Sequence, residues 1–117
     1  MSSKITDKYI AVTQGDSFIL PITFTGLNIS GAFIRMQVRT KDEKASLLID
    51  ECVSNHLNPK EGKTCIRLKP EQTNIPVGVY ETDIELTMPN GDKKTFYPAK
   101  VGTVAQFRVT KQITKEQ

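Results

Sequence analysis

The strictest constraint on this chain is a two-residue period. Tyr80, Thr82, Ile84 and Leu86 fall on one parity and Glu81, Asp83 and Glu85 on the other, the pattern of a strand with one buried and one wet face. The same rule puts Phe18, Leu20, Ile22 and Phe24 on one face and sets Ile34, Met36 and Val38 against Arg35, Gln37 and Arg39. Ala105, Phe107 and Val109 supply the inward side of a last strand, 47–53 and 64–68 read as shorter strands, and 95–97 begins a return strand. Strands at this spacing, with no helix longer than a turn, predict an all-β antiparallel sandwich of about seven to eight strands, with an OB-like barrel as the alternative.

The breaks between these runs have their own chemistry. Pro21 cannot donate to a ladder, so its strand is placed at an edge or bulged there. Gln14-Gly15-Asp16 and residues 26–31 read as turns, 54–63 as a loop, and Asn90-Gly91 as a hairpin in which both residues tolerate positive φ. Gly102 marks a kink or bulge. Pro70, Glu71 and Gln72 form one helical turn, after which Pro76 and Gly78 turn the chain at a corner into the strand that carries the acidic row. That row is predicted to face Arg35 and Arg39 on an adjacent strand, because opposed charges across a ladder are mutually stabilising. Phe33 falls on the outer parity, as an exposed aromatic or a bulge marker.

At 117 residues the chain fits one domain. We take it as 1–117, with 13–110 the sandwich and 1–8 and 111–117 polar tails. No stretch approaches the roughly 18 apolar residues of a membrane span, and the polar start has no secretory signal pattern, so export by that route is not expected. Cys52 and Cys65 are accordingly expected as free, partly buried thiols rather than a disulfide. The net charge of +3 is spread out, and Phe18, Phe24, Tyr80 and Phe107 share parity with aliphatic residues, so nucleic-acid binding is not expected. Phe33 beside Arg35 and Arg39 is the local exception and the candidate interaction surface, with Tyr97 beside Lys93 and Lys94 a weaker one.

Catalytic signals are few. His56 is the sole histidine and has no ligand partners at metal-site spacing, Cys52 and Cys65 form no Cys-x-x-Cys, and Gln14-Gly15-Asp16 lacks the rest of a phosphate loop. Two of the three strand acids forming a metal site or an acid/base pair is the functional alternative to a charge ladder. The expectation is no metal, no cofactor and no enzymatic activity.

A resemblance covers nearly the whole chain, from about residue 13 to 110. Thr13-Gln14-Gly15-Asp16-Ser17-Phe18, then Leu20-Pro21-Ile22, Ile34-Arg35-Met36-Gln37-Val38-Arg39, Leu68-Lys69-Pro70-Glu71-Gln72-Thr73, and Ile75-Pro76-Val77-Gly78-Val79-Tyr80 running into Asp83-Ile84-Glu85-Leu86 are similar, in order and spacing, to small phage and prophage virion domains. These resemble the immunoglobulin-like N-terminal domain of phage baseplate upper proteins. The resemblance implies an immunoglobulin-like sandwich in a non-enzymatic tail or baseplate component, made in the host cytoplasm and resident in the virion. Its implied partners are other virion proteins and copies of itself in a homo-oligomer. A small nucleic-acid- or carbohydrate-binding β module is the alternative. The domain is expected to be the entire protein, without the extended C-terminal region that connects such domains to a receptor-binding part, and 95–109 matches more loosely.

Overall fold

The computed structural model describes residues 3–100 and 102–113. In chain order the elements are β1 (Lys4–Ile5), β2 (Tyr9–Thr13), β3 (Phe18–Thr23), β4 (Phe33–Arg39), β5 (Leu47–Val53), a one-turn 3-10 helix (Pro59–Glu61), β6 (Lys63–Leu68), α1 (Pro70–Thr73), β7 (Gly78–Thr87), β8 (Lys93–Tyr97) and β9 (Ala105–Thr110). They form two sheets. One has seven strands in the order β1-β2-β9-β7-β4-β5, with β8 also on β7; the other is β3 with β6.

β7 organises the larger sheet. β4 runs along it from Glu81 to Thr87, while β9 pairs with its first half, Gly78 to Thr82, and β8 with its second, Ile84 to Thr87. The return strand is therefore divided into β8 and β9, which share one edge of β7. With β3 and β6 facing a sheet built on β4, β7 and β9, the chain is an immunoglobulin-like β-sandwich. A further mark of that fold lies at the corner before β7, where the Tyr80 hydroxyl donates to the carbonyl of Pro76.

The interior follows the parity rule. Phe18, Ile66 and Leu68 from the small sheet meet Ile10, Ile34, Met36, Val38, Ile84 and Phe107 from the large one, all at most 2% exposed. Buried polar groups are bonded: Thr82 donates to the carbonyl of Gln37 at 2.7 Å, and Thr73 to that of Asp16 at 2.6 Å. Among the described residues no buried side-chain polar atom lacks a partner. The Gln14 side chain donates to the carbonyl of Ile75 at 2.8 Å, which ties the β2–β3 turn to the corner before β7.

Several expectations need correction. The N-terminal segment is not a free tail to residue 8, since β1 pairs with β2, and β2 pairs in parallel with β9. Nine described strands result, and the sandwich is not wholly antiparallel. Residues 111–113 carry no regular structure, and the remaining tail residues, 1–2 and 114–117, lie outside the described ones. Gly78 does not take positive φ, so the corner rests on Pro76, α1 and the Tyr80 hydroxyl instead. In the β7–β8 hairpin only Gly91 takes positive φ, at 94°; Asn90 does not, and the Gly91 N–H donates to the carbonyl of Met88 at 2.9 Å. Ile29, read as part of a turn, is fully buried and held by its N–H to the carbonyl of Pro59 at 2.8 Å.

Candidate interaction surface on the outer sheet face

The outward positions of three neighbouring strands form this surface. β4 presents Arg35, Gln37 and Arg39, and the antiparallel register places them opposite Glu85, Asp83 and Glu81 of β7. The expected adjacency of the basic and acidic rows is therefore met residue for residue. On the other flank of β4, β5 turns Leu48, Asp50 and Cys52 outward.

The charges do not pair as the register alone would have it. Arg35 reaches diagonally to β5, where its Nε donates to Asp50 Oδ1 at 2.8 Å and a terminal nitrogen to Oδ2 at 2.6 Å. This two-pronged contact matches the planar guanidinium to a carboxylate. Arg39 donates to the carbonyl of Ala45 at 2.9 Å and to Gln37 Oε1 at 3.2 Å, not to a carboxylate. Among the described residues the ion pairs are Arg35–Asp50 and Lys63–Glu61, so Glu81, Asp83 and Glu85 have none.

The two environments shift two carboxyls in opposite directions. The Arg35 hydrogen bond holds Asp50 below the usual carboxylate value, and Asp50 in turn raises Arg35. Burial and then neighbouring Glu85 push Asp83 up, partly offset by Arg39. Titration followed by carboxyl NMR shifts should put Asp50 below and Asp83 above the ordinary 3.8. The stability effects have opposite signs. Asp50's contribution is present above that value and is lost as pH falls through its lowered pKa, whereas Asp83 favours the fold when protonated and gives that up as pH rises through its raised one. The reverse order of titration would displace the Arg35–Asp50 contact.

The face is hollowed along the boundary of the two rows. A depression of ≈ 190 Å³ lies between Ala45 and Val104 over Gln37, Arg39, Glu81 and Asp83. A second, of ≈ 160 Å³, continues over Arg35, Gln37, Asp83 and Glu85. Val104 is 63% exposed at the rim. Farther along the same face, the Arg108 guanidinium stacks 3.8 Å over the Tyr9 ring.

The other candidates from the sequence are dispersed. Phe33 is half-buried opposite Thr87 at the end of β4 rather than fully presented. Tyr97 is half-buried, and its hydroxyl donates to the carbonyl of Thr6 at 2.9 Å, a link in the N-terminal packing. Cys52 is exposed rather than partly buried, because it points outward from an edge strand; half-buried Cys65 lies on the other sheet, and both thiols are free. His56 joins the loop to the core, with Nε2 2.7 Å from the carbonyl of Ala32 and Nδ1 2.8 Å from Thr64 Oγ1. A neutral ring with its proton on Nε2 satisfies both contacts, since Nδ1 then accepts from the Thr64 hydroxyl. Among the described residues no three His, Cys, Asp or Glu side chains come together as a metal site. Asp50 as the partner of Arg35, and Val104 as a rim, had no advance signal beyond outward parity and local apolarity.

No protein-family profile matches the chain, and no curated protein matches it. Among solved structures, the chain is similar to one from a photo-crosslinking study of the multimeric cell-adhesive interactions of voltage-gated sodium channel β subunits, with 16% identity and a TM-score of 0.43 over 94% of this chain and 98% of that one. It is also similar to the extracellular domain of the sodium channel β4 subunit, described as a parallel homodimer in cell–cell adhesion, with 14% identity and a TM-score of 0.43 over 97% of this chain and 99% of that one.

Proposed function

We propose that this chain is a non-enzymatic structural protein of a phage virion, a tail or baseplate component that works through protein–protein contacts. The observation carrying this reading is where the molecule spends its reactive side chains. Its interior is packed with apolar residues, His56 is engaged in holding a loop, and the charges of Arg39, Glu81, Asp83 and Glu85, which have no ion pair among the described residues, are gathered on one open sheet face. Such a face suits docking rather than bond making. The resemblance of the 13–86 stretches to baseplate upper proteins supplies the virion setting, with synthesis in the host cytoplasm. Open edges add to the contact potential: β5 ends the large sheet with Leu47 43% and Leu48 38% exposed, and β3 and β6 pair with each other alone among the described strands.

Peptide mass spectrometry of purified mature particles from the phage that encodes the chain tests this directly. The chain is expected among the particle proteins in stoichiometric amount. Its confinement to the soluble lysate, with none in the particles, would reject the virion role.

A further inference from the structure

The two charged rows on the outer face are arranged for a second copy of the same face. Because Arg35, Gln37 and Arg39 sit directly opposite Glu85, Asp83 and Glu81, each basic or amide residue is level along the strand direction with an acid. Consider a two-fold axis parallel to the strands, lying above the boundary of β4 and β7. Rotation about it turns the sheet over without reversing strand direction, and sets β4 of one copy over β7 of the other. Arg35 then meets Glu85, Gln37 meets Asp83 and Arg39 meets Glu81 of the second molecule, and each contact occurs twice.

We propose that the protein forms a symmetric dimer through the outer faces of β4 and β7, with strands parallel, held by the two Arg39–Glu81 contacts between copies, while Arg35 keeps its Asp50 partner and lies level with Glu85 of the second copy. The reverse orientation fails on charge. A two-fold axis across the strands would put β4 over β4, bringing Arg35 onto Arg39, and β7 over β7, bringing Glu81 onto Glu85, and like charges so placed repel. Three acids with no ion pair among the described residues, and an Arg39 bonded there to a carbonyl and an amide oxygen, are the groups the second copy would complement. The same axis carries Val104, on the β7 flank, toward the Ala45 side of the other molecule, so the two walls of the ≈ 190 Å³ depression meet around the charges. Stacked sheets lie about 10 Å apart, a gap that long arginine and glutamate side chains span from both sides.

The inference rests on the contact-making part of the proposed function and not on the virion setting, so a chain missing from particles and a chain that stays monomeric are separate failures. The test is sedimentation velocity of the full chain over a concentration series, in low and high salt. The unmodified protein is expected to dimerise, and to do so more weakly as salt rises. Arg39→Glu and Glu81→Lys are each expected to weaken the dimer more than about tenfold, because each places two like-charge pairs in the interface. A 1:1 mixture of the two variants restores opposite charges at both contacts, and should dimerise within about threefold of the unmodified chain. Neither side chain has an ion pair among the described residues, and circular dichroism is the check that both variants fold. A monomer at all concentrations in low salt overturns the proposal. So does a dimer indifferent to both reversals, or a mixture no tighter than its components.

Discussion

Gly62→Ala should destabilise the protein by about 3 kcal/mol or more, well beyond the cost of its backbone conformation alone. Gly62 closes the 3-10 turn with φ 73° and ψ 21°, in the left-handed region where a side chain costs roughly 1–2 kcal/mol. A Cβ there would also lie 2.2 Å from the carbonyl oxygen of Phe24 and 2.7 Å from that of Leu27. Both oxygens are backbone, so relief requires the 24–29 segment to move. That segment is anchored by Phe24 N–H to the Gly62 carbonyl at 2.8 Å and by Ile29 N–H to the Pro59 carbonyl at 2.8 Å, and Ile29 is buried in the core. Gly26→Ala is the matched control, having φ +75° and nothing within 4 Å of its added Cβ. Urea unfolding should give the control only the conformational cost of about 1–2 kcal/mol. Equal losses for the two variants would mean that the backbones of the turn and the 24–29 segment do not approach as described.

That close approach was invisible in the sequence, and the reason separates what periodicity carries from what it does not. The faces of β3, β4, β7 and β9 were legible because alternation is a local property: Ile34, Met36, Val38, Ile84 and Phe107 are buried where parity put them. β2 obeys the same rule through Ile10 and Val12, but it follows a polar start and takes its place only through parallel pairing with β9, nearly the whole chain away. Ile29 has no periodic neighbours, and its buried position goes with the hydrogen bond its N–H donates to the carbonyl of Pro59 in the 3-10 turn of a later loop. Gly78 is expected from the sequence to turn the corner with Pro76 through its conformational freedom, yet it takes no positive φ and the corner is closed by the Tyr80 hydroxyl, a bond with no pattern of its own.

The interaction face divides in the same way. Opposed rows of arginines and acids were enough to predict that β4 and β7 are neighbours, and the register agrees. The actual partner of Arg35 was not legible, because it depends on how β5 lies against β4. That pairing puts Asp50 opposite Gln37, one diagonal step from Arg35, and slips between Val38 and Arg39. With Arg35 drawn toward β5, the acids of β7 are left without ion pairs among the described residues, which is what the proposed dimer would use.

The second large effect is expected at Phe107, where truncation to alanine should cost about 3–5 kcal/mol. Phe107 is fully buried, and its backbone stands between Ile10 of β2 and Tyr80 of β7 in the sheet. Deleting its ring opens a cavity that three strands must collapse to fill, and β2 is held to the sheet on this side by β9. The unfolding midpoint in urea should fall while the slope stays constant, since the surface exposed on unfolding changes little. Phe96 provides the comparison: it is only half-buried and meets Phe24 edge-on with centroids 4.8 Å apart, so alanine there removes one aromatic contact at the margin of the core and leaves the gap open to water. Its loss should be clearly smaller. If Phe96→Ala proved as costly as Phe107→Ala, the centre of the core would lie toward β8 rather than between β2 and β7, and the sheet order on which the outer face depends would have to be redrawn.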